Sequence, residues 1–413
     1  MRAICEQLAE YDHDEFRAFH DEDAGLRGFV GIHDTTLGPA AGGTRRYAFE
    51  SEAKAIEDVL RLSRAMTYKY AISGINMGGG KAALWIDDDH NSEALYRSYG
   101  RVVDDFEGRF VTGGDIGTGE RELRWVNMET DYVIGLPEQF DHPEGYHGGG
   151  LGVVRAMEAC CDLRYDDRSL ADLHVVVQGV GEMGTAIVRY LTERGARVTV
   201  ADPDWSAVDH VVDEYGAHET DPDGVHEVDC DVFAPSAFGS VISEETVPQL
   251  ECDIVCGAAN NQLADEAEDG RRLHEADILY APDYLANSGR TIDDTDLLRK
   301  GGYQHDRATA MIDGIYDRMF DIGERAIRDG RPTYEIANET AEERIEAVGS
   351  MRGKVYDRRA PTWWGHNPRS FRRVRQLDID TGDGTYRSGA GRPIGKTSSP
   401  LGRRHLSRSY SLF

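Results

Sequence analysis

The chain of 413 residues is long enough for two domains with hydrophobic cores of their own. It has a net charge of −29, and only six of its 46 basic residues are lysine, which favours a surface adapted to high salt. The acidic N-terminus lacks a signal-peptide core, no run approaches the ~18–20 apolar residues that cross a membrane, and the cysteines form no Cys-x-x-Cys pair. We therefore expect a cytoplasmic protein with reduced thiols and no metal site.

The spacing of apolar residues in the first half predicts alternating strands and helices. Ser51 is a suitable N-cap for one of these helices, which would end just before Lys69. In chain order we expect a strand at 28–33, a glycine-rich loop at 38–47, a helix at 51–68, a strand at 82–86 and a helix at 91–106.

The most informative stretch is 78–81, in which three glycines precede Lys81. Glycine permits close approach of the backbone to a ligand, and the pKa of a lysine falls when it is desolvated or lies near another cation. Lys69, at the other end of the same turn-rich connection, would supply that cation. A phosphate loop is excluded because Ala82 occupies the position of the required Ser or Thr. A glycine turn with a solvated lysine is the alternative.

A second candidate group is Asp115, which follows an apolar strand end and two glycines. Functional groups often lie where a rigid strand gives way to a loop. Opposite a lysine of lowered pKa, Asp115 would complete a general acid–base pair. The alternative is an aspartate that only caps its own turn.

The second half contains a strand at 174–178, a Gly-x-Gly-x-x-Gly run, a helix at 185–194 and a strand at 196–201 that leads into Asp202. This order is the βαβ fingerprint of a Rossmann domain, whose glycines let the backbone approach a pyrophosphate at a helix N-terminus. Asp202 would accept hydrogen bonds from the adenosine ribose and repel a 2′-phosphate, so the pattern predicts NAD rather than NADP. The expected NAD-binding residues of the run are Gly179, Val180, Gly181, Glu182, Met183 and Gly184.

Three further strands are predicted at 231–235, 254–257 and 278–282, and each leads into a polar or glycine-rich loop. The carboxyl ends of parallel strands line the ligand crevice, so these loops are candidate binding segments. Asparagine suits a nicotinamide ribose, a carboxamide or a substrate carboxylate, although it also forms simple turns. The candidates are Ala259, Asn260 and Asn261 in one loop and Asn287 in another, at 283–289.

Together these blocks resemble the glutamate/leucine/phenylalanine/valine dehydrogenase family, most closely its leucine dehydrogenase branch. The resemblance extends over roughly residues 19–347. It rests on the blocks at 33–40, 66–69, 78–81, 129–133, 177–181, 259–263 and 281–284.

The resemblance implies an α/β fold with two domains: an N-terminal substrate-binding and oligomerisation domain and a C-terminal Rossmann domain that binds NAD. Apolar residues at helical spacing predict a helical segment at 314–348, broken at Pro332, and the resemblance implies that its last helix returns to the first domain. Residues 352–413 hold 14 basic and 4 acidic residues with little periodicity, so we expect a disordered, dispensable tail rather than a nucleic-acid partner. The expected boundaries are 1–135, 150–328, 329–351 and 352–413.

The resemblance further implies reversible oxidative deamination of an L-amino acid to a 2-oxo acid and ammonia. Lys69 would bind the substrate carboxylate with help from Asn287 and Asn261, Lys81 would be the general base, and Asp115 would exchange protons with the nitrogen. Gly42 and Met66 would line the substrate site. A homo-oligomer is expected.

Three departures from the family pattern leave alternatives open. A hydroxyl-bearing segment is replaced by His147 and the glycines at 148–150, which puts one cofactor contact in doubt. Arg290 stands where the family has glycine, and Gly113, Ile134 and Thr291 differ from the usual pocket residues. Branched-chain substrates are expected, phenylalanine and glutamate are the alternatives, and a catalytically weak NAD-binding sensor is the alternative of another class.

Overall fold

The first domain is built on a five-stranded mixed sheet with the order β1-β2-β4-β3-β5. The computed structural model describes residues 4–86, 92–140, 148–237 and 239–355. Strands β3, β4 and β5 are parallel to one another, and β1 and β2 form an antiparallel edge. The elements are α1 (Ile4–Tyr11), β1 (Glu15–Asp21), β2 (Leu26–Ile32), β3 (Ala40–Tyr47), α2 (Glu52–Ile72), β4 (Gly78–Trp85), α3 (Glu93–Asp104), β5 (Phe110–Gly114) and α4 (Glu120–Asn127).

Two glycine-rich stretches that we predicted to be loops or turns are strands, and the prediction of a loop at 38–47 is wrong. The reason is tertiary packing. A Cβ on Gly42 of β3 would lie 1.8 Å from the Gly80 carbonyl oxygen, and a Cβ on Gly79 of β4 would lie 2.2 Å from the Ser63 carbonyl oxygen. The glycines therefore let β3, β4 and α2 pack closely, which outweighs their low strand propensity.

Helix α2 carries the first of the two candidate lysines. Its N-cap is Ser51, as predicted, whose hydroxyl accepts a hydrogen bond from the Lys54 backbone over 3.3 Å. The helix continues to Ile72, so Lys69 lies within its last turn and not beyond its end, as we had expected. The lysine is thereby held by a helix that packs along β4.

The second domain contains a six-stranded parallel sheet with the order β11-β10-β9-β6-β7-β8, as expected of a doubly wound Rossmann domain. Helices alternate with its strands along the chain, and the two pack together in a largely aliphatic core. The elements are α5 (Gly148–Arg164), β6 (His174–Gln178), α6 (Glu182–Glu193), β7 (Arg197–Ala201), α7 (Trp205–Tyr215), β8 (His218–Glu219), β9 (Val232–Pro235), β10 (Ile254–Val255), α8 (Glu266–Glu275), β11 (Leu279–Tyr280), α9 (Asp283–Ala286), α10 (Gly289–Asp296), α11 (His305–Asp329) and α12 (Thr333–Val355).

The predicted strands of this domain are present, but the segment at 283–289 is helical rather than a loop. The last helix, α12, contacts α2 and the residues that directly follow it. Arg344 donates to the Ala71 and Ile75 carbonyl oxygens over 3.1 and 2.9 Å, and the Tyr68 hydroxyl donates to Glu342 over 2.6 Å. These hydrogen bonds join the two domains at the C-terminal end of α2.

No helix in the described ranges is long and apolar enough to cross a membrane. The predicted disorder of the tail concerns residues that lie, from 356 onward, outside the described part of the chain. The domain boundaries stay predictions.

Candidate active site

Lys81 and Asp115 are in direct contact. Lys81 lies on β4 and Asp115 directly follows β5, and the distance from Lys81 Nζ to Asp115 Oδ2 is 2.7 Å. The lysine side chain is only 9% exposed. Burial lowers the pKa of Lys81, although the charge of Asp115 opposes this effect. Burial alone would raise the pKa of Asp115, but the charges of Lys81 and Arg45 outweigh it and lower that pKa. The structure therefore brings the two predicted catalytic groups together.

Two further charged residues adjoin this pair, and sequence reasoning missed both. Arg45 on β3 donates from Nε to Asp115 Oδ2 over 3.1 Å. Its Nη1 lies 2.9 and 3.1 Å from the two carboxylate oxygens of Asp58 on α2. Residues 40–47 show no alternation of apolar and polar side chains that would have indicated a strand, and the glycines there suggested a loop.

Lys69 faces the second domain across the cleft. Its Nζ lies 3.5 Å from Asn260 Oδ1, which also accepts a hydrogen bond from Asn287 Nδ2 over 2.9 Å. Burial, the like charge of Lys81 and that of Arg290 lower the pKa of Lys69 to about 8, while Asp283 opposes the shift. Asn260 thus links Lys69 to Asn287, whereas the residues predicted to help Lys69 bind the substrate carboxylate are Asn287 and Asn261.

The side-chain oxygen of Asn287, close to Asn260 and Lys69, is an unused hydrogen-bond acceptor among the described residues. Its Nδ2 also donates to the Ala258 carbonyl oxygen over 3.1 Å, whereas its Oδ1 is buried without a hydrogen-bond partner among the described residues. A buried acceptor without a partner costs free energy, so a ligand that supplies a donor would stabilise it. An ammonium group or a carboxamide NH2 fits this requirement.

Met66 lies on α2, the helix that carries Lys69, and Gly42 lies on β3, which pairs with the strand that carries Lys81. Gly42 is paired with Thr112 of β5 and touches the Gly80 carbonyl, so packing alone accounts for the glycine. Met66 is half-buried on α2, three residues before Lys69. Their contact with a substrate stays a prediction.

The glycine run forms the crevice at the carboxyl end of β6. Gly179 has a φ of 97° and Gly184 would place a Cβ 1.9 Å from the Gly179 carbonyl oxygen, so packing requires both. Around Gly181, by contrast, no atom of the described residues lies within 4 Å of an added Cβ. Gly181 is the N-cap of α6, where backbone N–H groups favour an anion. Open space at this glycine fits a dinucleotide pyrophosphate.

Asp202 stands at the end of β7, where the fingerprint requires it. Its Oδ2 accepts from the Val180 backbone over 2.9 Å and its Oδ1 accepts from the Asp204 backbone over 2.9 Å. Each carboxylate oxygen has a second lone pair, so both can still accept from ribose hydroxyls.

Two other predicted cofactor residues lie in the loop after β10. Ala259 is buried, and its N–H donates to the Pro235 carbonyl oxygen, whereas Asn261 is exposed with a left-handed φ of 53°.

The glycines at 148–150 are explained by helix packing. The Gly148 backbone N–H at the start of α5 donates to Asp293 Oδ2 over 2.9 Å. A Cβ on the second glycine would lie 2.3 Å from Met183 Cε, and one on the third 2.6 Å from Ala186 Cβ. The run therefore seats α5 against α6 and α10, while His147 lies outside the described residues.

Arg290 is engaged with Glu182. Its Nη1 lies 3.4 Å from both carboxylate oxygens of this residue in the first turn of α6. We had expected Arg290 either to alter the substrate pocket or to point into solvent.

Among the described residues, no cluster of three His, Cys, Asp or Glu side chains is suited to a metal ion.

Comparisons with known proteins match this chain to amino-acid dehydrogenases over most of its length. The family model of the Glu/Leu/Phe/Val dehydrogenase dimerisation domain matches residues 13–132, and the Glutamate/Leucine/Phenylalanine/Valine dehydrogenase model matches residues 203–292. The leucine dehydrogenase of Geobacillus stearothermophilus is 40% identical over 378 residues, which cover 90% of this chain and 100% of that protein.

Other relatives carry different names. The phenylalanine dehydrogenase of Bacillus thermotolerans is 36% identical and covers 87% of this chain and 95% of its own. The crystal structure of L-tryptophan dehydrogenase from Nostoc punctiforme is similar with a TM-score of 0.75 and 35% identity, over 84% of this chain and 99% of that one.

Proposed function

Since the chain belongs to the glutamate/leucine/phenylalanine/valine dehydrogenase family, we propose that it oxidises a branched-chain L-amino acid to the 2-oxo acid and ammonia. Membership of the family confirms the predicted two-domain fold, the amino-acid dehydrogenase activity and NAD as the cofactor. The branched-chain preference is supported by the leucine dehydrogenase that the chain matches over its full length. Aromatic amino acids are the alternatives, because phenylalanine and tryptophan dehydrogenases are also relatives.

The observation that carries the proposed mechanism is the 2.7 Å contact between Lys81 and Asp115 in a cleft that Lys69 also lines. A lysine can act as a base only when it is neutral, and burial beside other cations lowers its pKa towards working pH. This pairing of a buried amine and a carboxylate also argues against a catalytically weak NAD-binding sensor, which would have no need of it.

Lys69 is placed to bind the substrate carboxylate. Its ammonium group lies at the domain boundary, and Asn287 beyond it can contact a second polar group of the substrate. Two such contacts would fix Cα relative to the dinucleotide crevice, and orientation of this kind can supply a large part of a rate enhancement.

The remaining steps are proton transfers. NAD, held at Gly181 and Asp202, would supply the acceptor for the hydride of the substrate Cα. Neutral Lys81 then takes a proton from the water that attacks the imine carbon. Asp115 exchanges protons with the substrate nitrogen, which lets the nitrogen leave as ammonia.

Glutamate is the least favoured substrate in this proposal. Its side-chain carboxylate would require a further cation, and Arg290 already faces Glu182. Asp294, one turn further along α10, adds a buried Oδ1 without a hydrogen-bond partner among the described residues. Burial raises the pKa of Asp294 to about 7, so its charge at alkaline pH would repel an acidic side chain.

The test is NADH formation at high KCl and alkaline pH with leucine, valine, isoleucine, phenylalanine, tryptophan and glutamate. We expect the branched-chain amino acids to give the highest kcat/KM and Lys81→Ala to abolish turnover. Lys54→Ala is the matched control, because Lys54 is an exposed lysine of the same domain that pairs only with Glu57 among the contacts described. Failure of every amino acid in the presence of bound NAD would contradict the proposal and favour the sensor.

We also propose a homo-oligomer, action in the cytoplasm and adaptation to high salt. The first is supported by the match to a dimerisation domain, and the last by the excess of acidic residues. Light scattering tests the oligomer. Activity measured between 0.1 and 3 M KCl tests the adaptation to salt, because this range shortens the electrostatic screening length from about 10 to below 3 Å. A monomer, or an activity optimum at low salt, would contradict them.

A further inference from the structure

Arg45 connects the catalytic pair to helix α2. Both Arg45 Nε, at 3.1 Å, and Lys81 Nζ, at 2.7 Å, contact the same oxygen of Asp115. The guanidinium is itself fixed by both oxygens of Asp58. The carboxylate of Asp115 is therefore held at Oδ2 by the Arg45 guanidinium and the Lys81 side-chain nitrogen, and the guanidinium is anchored by a second carboxylate.

We propose that Arg45, anchored by Asp58, is a positioning residue for amino-acid oxidation that keeps the Asp115 carboxylate oriented and ionised beside Lys81. The inference rests on the proposed function, because Asp115 exchanges protons with the substrate only in that reaction. With Oδ2 held by Arg45 and Lys81, Oδ1 is the oxygen that we assign to the substrate nitrogen.

The strands place these groups on one face of the sheet. Thr44 of β3 is paired with Gly114 of β5, so Arg45 lies beside Asp115 in the register. Gly43 lacks a Cβ, which would lie 3.0 Å from the Asp115 Cβ, and this allows the close approach. A guanidinium offers donors in a rigid plane, whereas an ammonium is a rotating point charge, so arginine orients a carboxylate more strictly than lysine would.

The side chains of the network are about one-fifth to one-quarter exposed, at 20% for Arg45, 21% for Asp115 and 26% for Asp58. Water therefore screens their charges in part, and the ion pairs alone contribute modestly to stability. Orientation of the reacting carboxylate is the larger expected consequence, because small displacements of a catalytic group reduce the rate strongly.

Arg45 and Asp58 act on Lys81 with opposite sign. Burial is the main cause of the lowered pKa of Lys81, the Arg45 charge adds to it, and the charges of Asp115 and Asp58 oppose it. Lys69 also faces Lys81 from α2, and it is in turn surrounded by charged groups of the second domain. Those groups are Asp283, Asp294 and Arg290.

The test measures kcat and KM against pH for the full-length enzyme with its best amino acid. We expect Arg45→Gln to lower kcat about 10²-fold, because Asp115 loses its orientation. The midpoint of the acidic limb should rise by about 0.5–1 pH unit in this variant and fall by a similar amount in Asp58→Asn. Arg45→Lys keeps the charge, so its midpoint should stay near that of the wild type while kcat falls.

Arg97→Gln is the matched control, since Arg97 also joins two carboxylates, those of Glu93 and Glu129, but on the outer helix α3. We expect it to leave kcat and the midpoint unchanged. Unchanged midpoints in Arg45→Gln and Asp58→Asn, or shifts of the same sign, would overturn the proposal. If circular dichroism shows that Arg45→Gln is unfolded, an unshifted midpoint in Asp58→Asn overturns it. A wild-type enzyme that oxidises no amino acid would instead contradict the proposed function.

Discussion

The two halves of the cleft are built by different means. The half that we propose to bind the amino acid, called the amino-acid half, consists of charged side chains on or next to neighbouring strands, with Arg45 and Lys81 3.1 and 2.7 Å from Asp115. The half that we propose to bind NAD, called the nucleotide half, consists of backbone around Gly179 and Gly181, and its defining feature is the space that glycine leaves. Side-chain chemistry can be removed one group at a time, whereas a backbone site depends on packing. We therefore expect variants in one half to leave the other half working.

The largest effect is expected from Asp115→Asn in the amino-acid half. The amide cannot exchange protons with the substrate nitrogen, so kcat should fall about 10³-fold. The nucleotide half is untouched, and the Kd for NADH, measured by fluorescence titration, should stay within about twofold of the wild type. A parallel loss of NADH binding would contradict the separation of the two halves.

The second prediction concerns two histidines beneath the amino-acid half. His33 Nδ1 lies 2.9 Å from Thr67 Oγ1, which accepts from the Gly79 backbone of β4, and the rings of His13 and His33 are 5.0 Å apart. Burial, together with the charge of Arg64 for His33 and of His33 for His13, lowers both pKa values from 6.5 to about 4. Between these values the unfolded chain binds protons that the native state does not.

The free energy of unfolding therefore has its full value above pH 6.5 and decreases as the pH falls towards 4, by on the order of 3 kcal/mol for each of the two rings. The double variant His13→Gln/His33→Gln should flatten the slope of thermal stability between pH 7 and 4.5, at constant salt. His210→Gln, at an exposed histidine of α7, is the control. An unchanged slope in the double variant would show that these rings do not govern acid stability.

A smaller effect is expected in the nucleotide half from Gly181→Ala. The added Cβ meets no atom of the described residues within 4 Å, so the fold should be retained. The methyl group would occupy space intended for the pyrophosphate, and the Kd for NADH should rise about tenfold, or ~1.4 kcal/mol. Gly184→Ala should instead destabilise the fold, because its Cβ would lie 1.9 Å from a carbonyl oxygen. Equal unfolding temperatures for the two variants would contradict this distinction.

The smallest effect is expected from Arg290→Gln, between the two halves. The arginine pairs with Glu182 over 3.4 Å, and both side chains are well exposed, so the pair contributes little. Leucine turnover and the Kd for NADH should each change less than about threefold, or ~0.6 kcal/mol. A larger change in the KM for the amino acid would place Arg290 in the substrate pocket after all.

The two halves also differ in how far the sequence predicts them. The glycine fingerprint and Asp202 are local signals, because strand, loop and helix follow one another directly. Lys81 and Asp115 were predicted by residue type, and their contact is now visible. Arg45 was missed because the glycines at 42–43 belong to a strand only through their packing on neighbouring strands, which periodicity does not encode. Asp58 lies on the predicted helix α2 and was missed because its contact with Arg45 depends on that strand.

Packing against distant parts of the chain also explains why the local sequence did not predict the positions of Lys69 and of the glycines at 148–150. Helix α2 continues past Lys69 because Tyr70, Ala71 and Ile72 are buried against the rest of the protein. The glycines put one cofactor contact in doubt, and the structure adds that they permit the close packing of α5 on two other helices. In both cases the cause is a distant part of the chain.

The central claim, that a neutral lysine at position 81 is the base in amino-acid oxidation, is tested most directly by chemical rescue. In the Lys81→Ala enzyme, the buried space left by the lysine side chain can admit a small primary amine. The account predicts that ethylamine restores NADH formation from leucine in proportion to the concentration of its neutral form. No restoration at any pH, with an enzyme that still binds NADH, would contradict it.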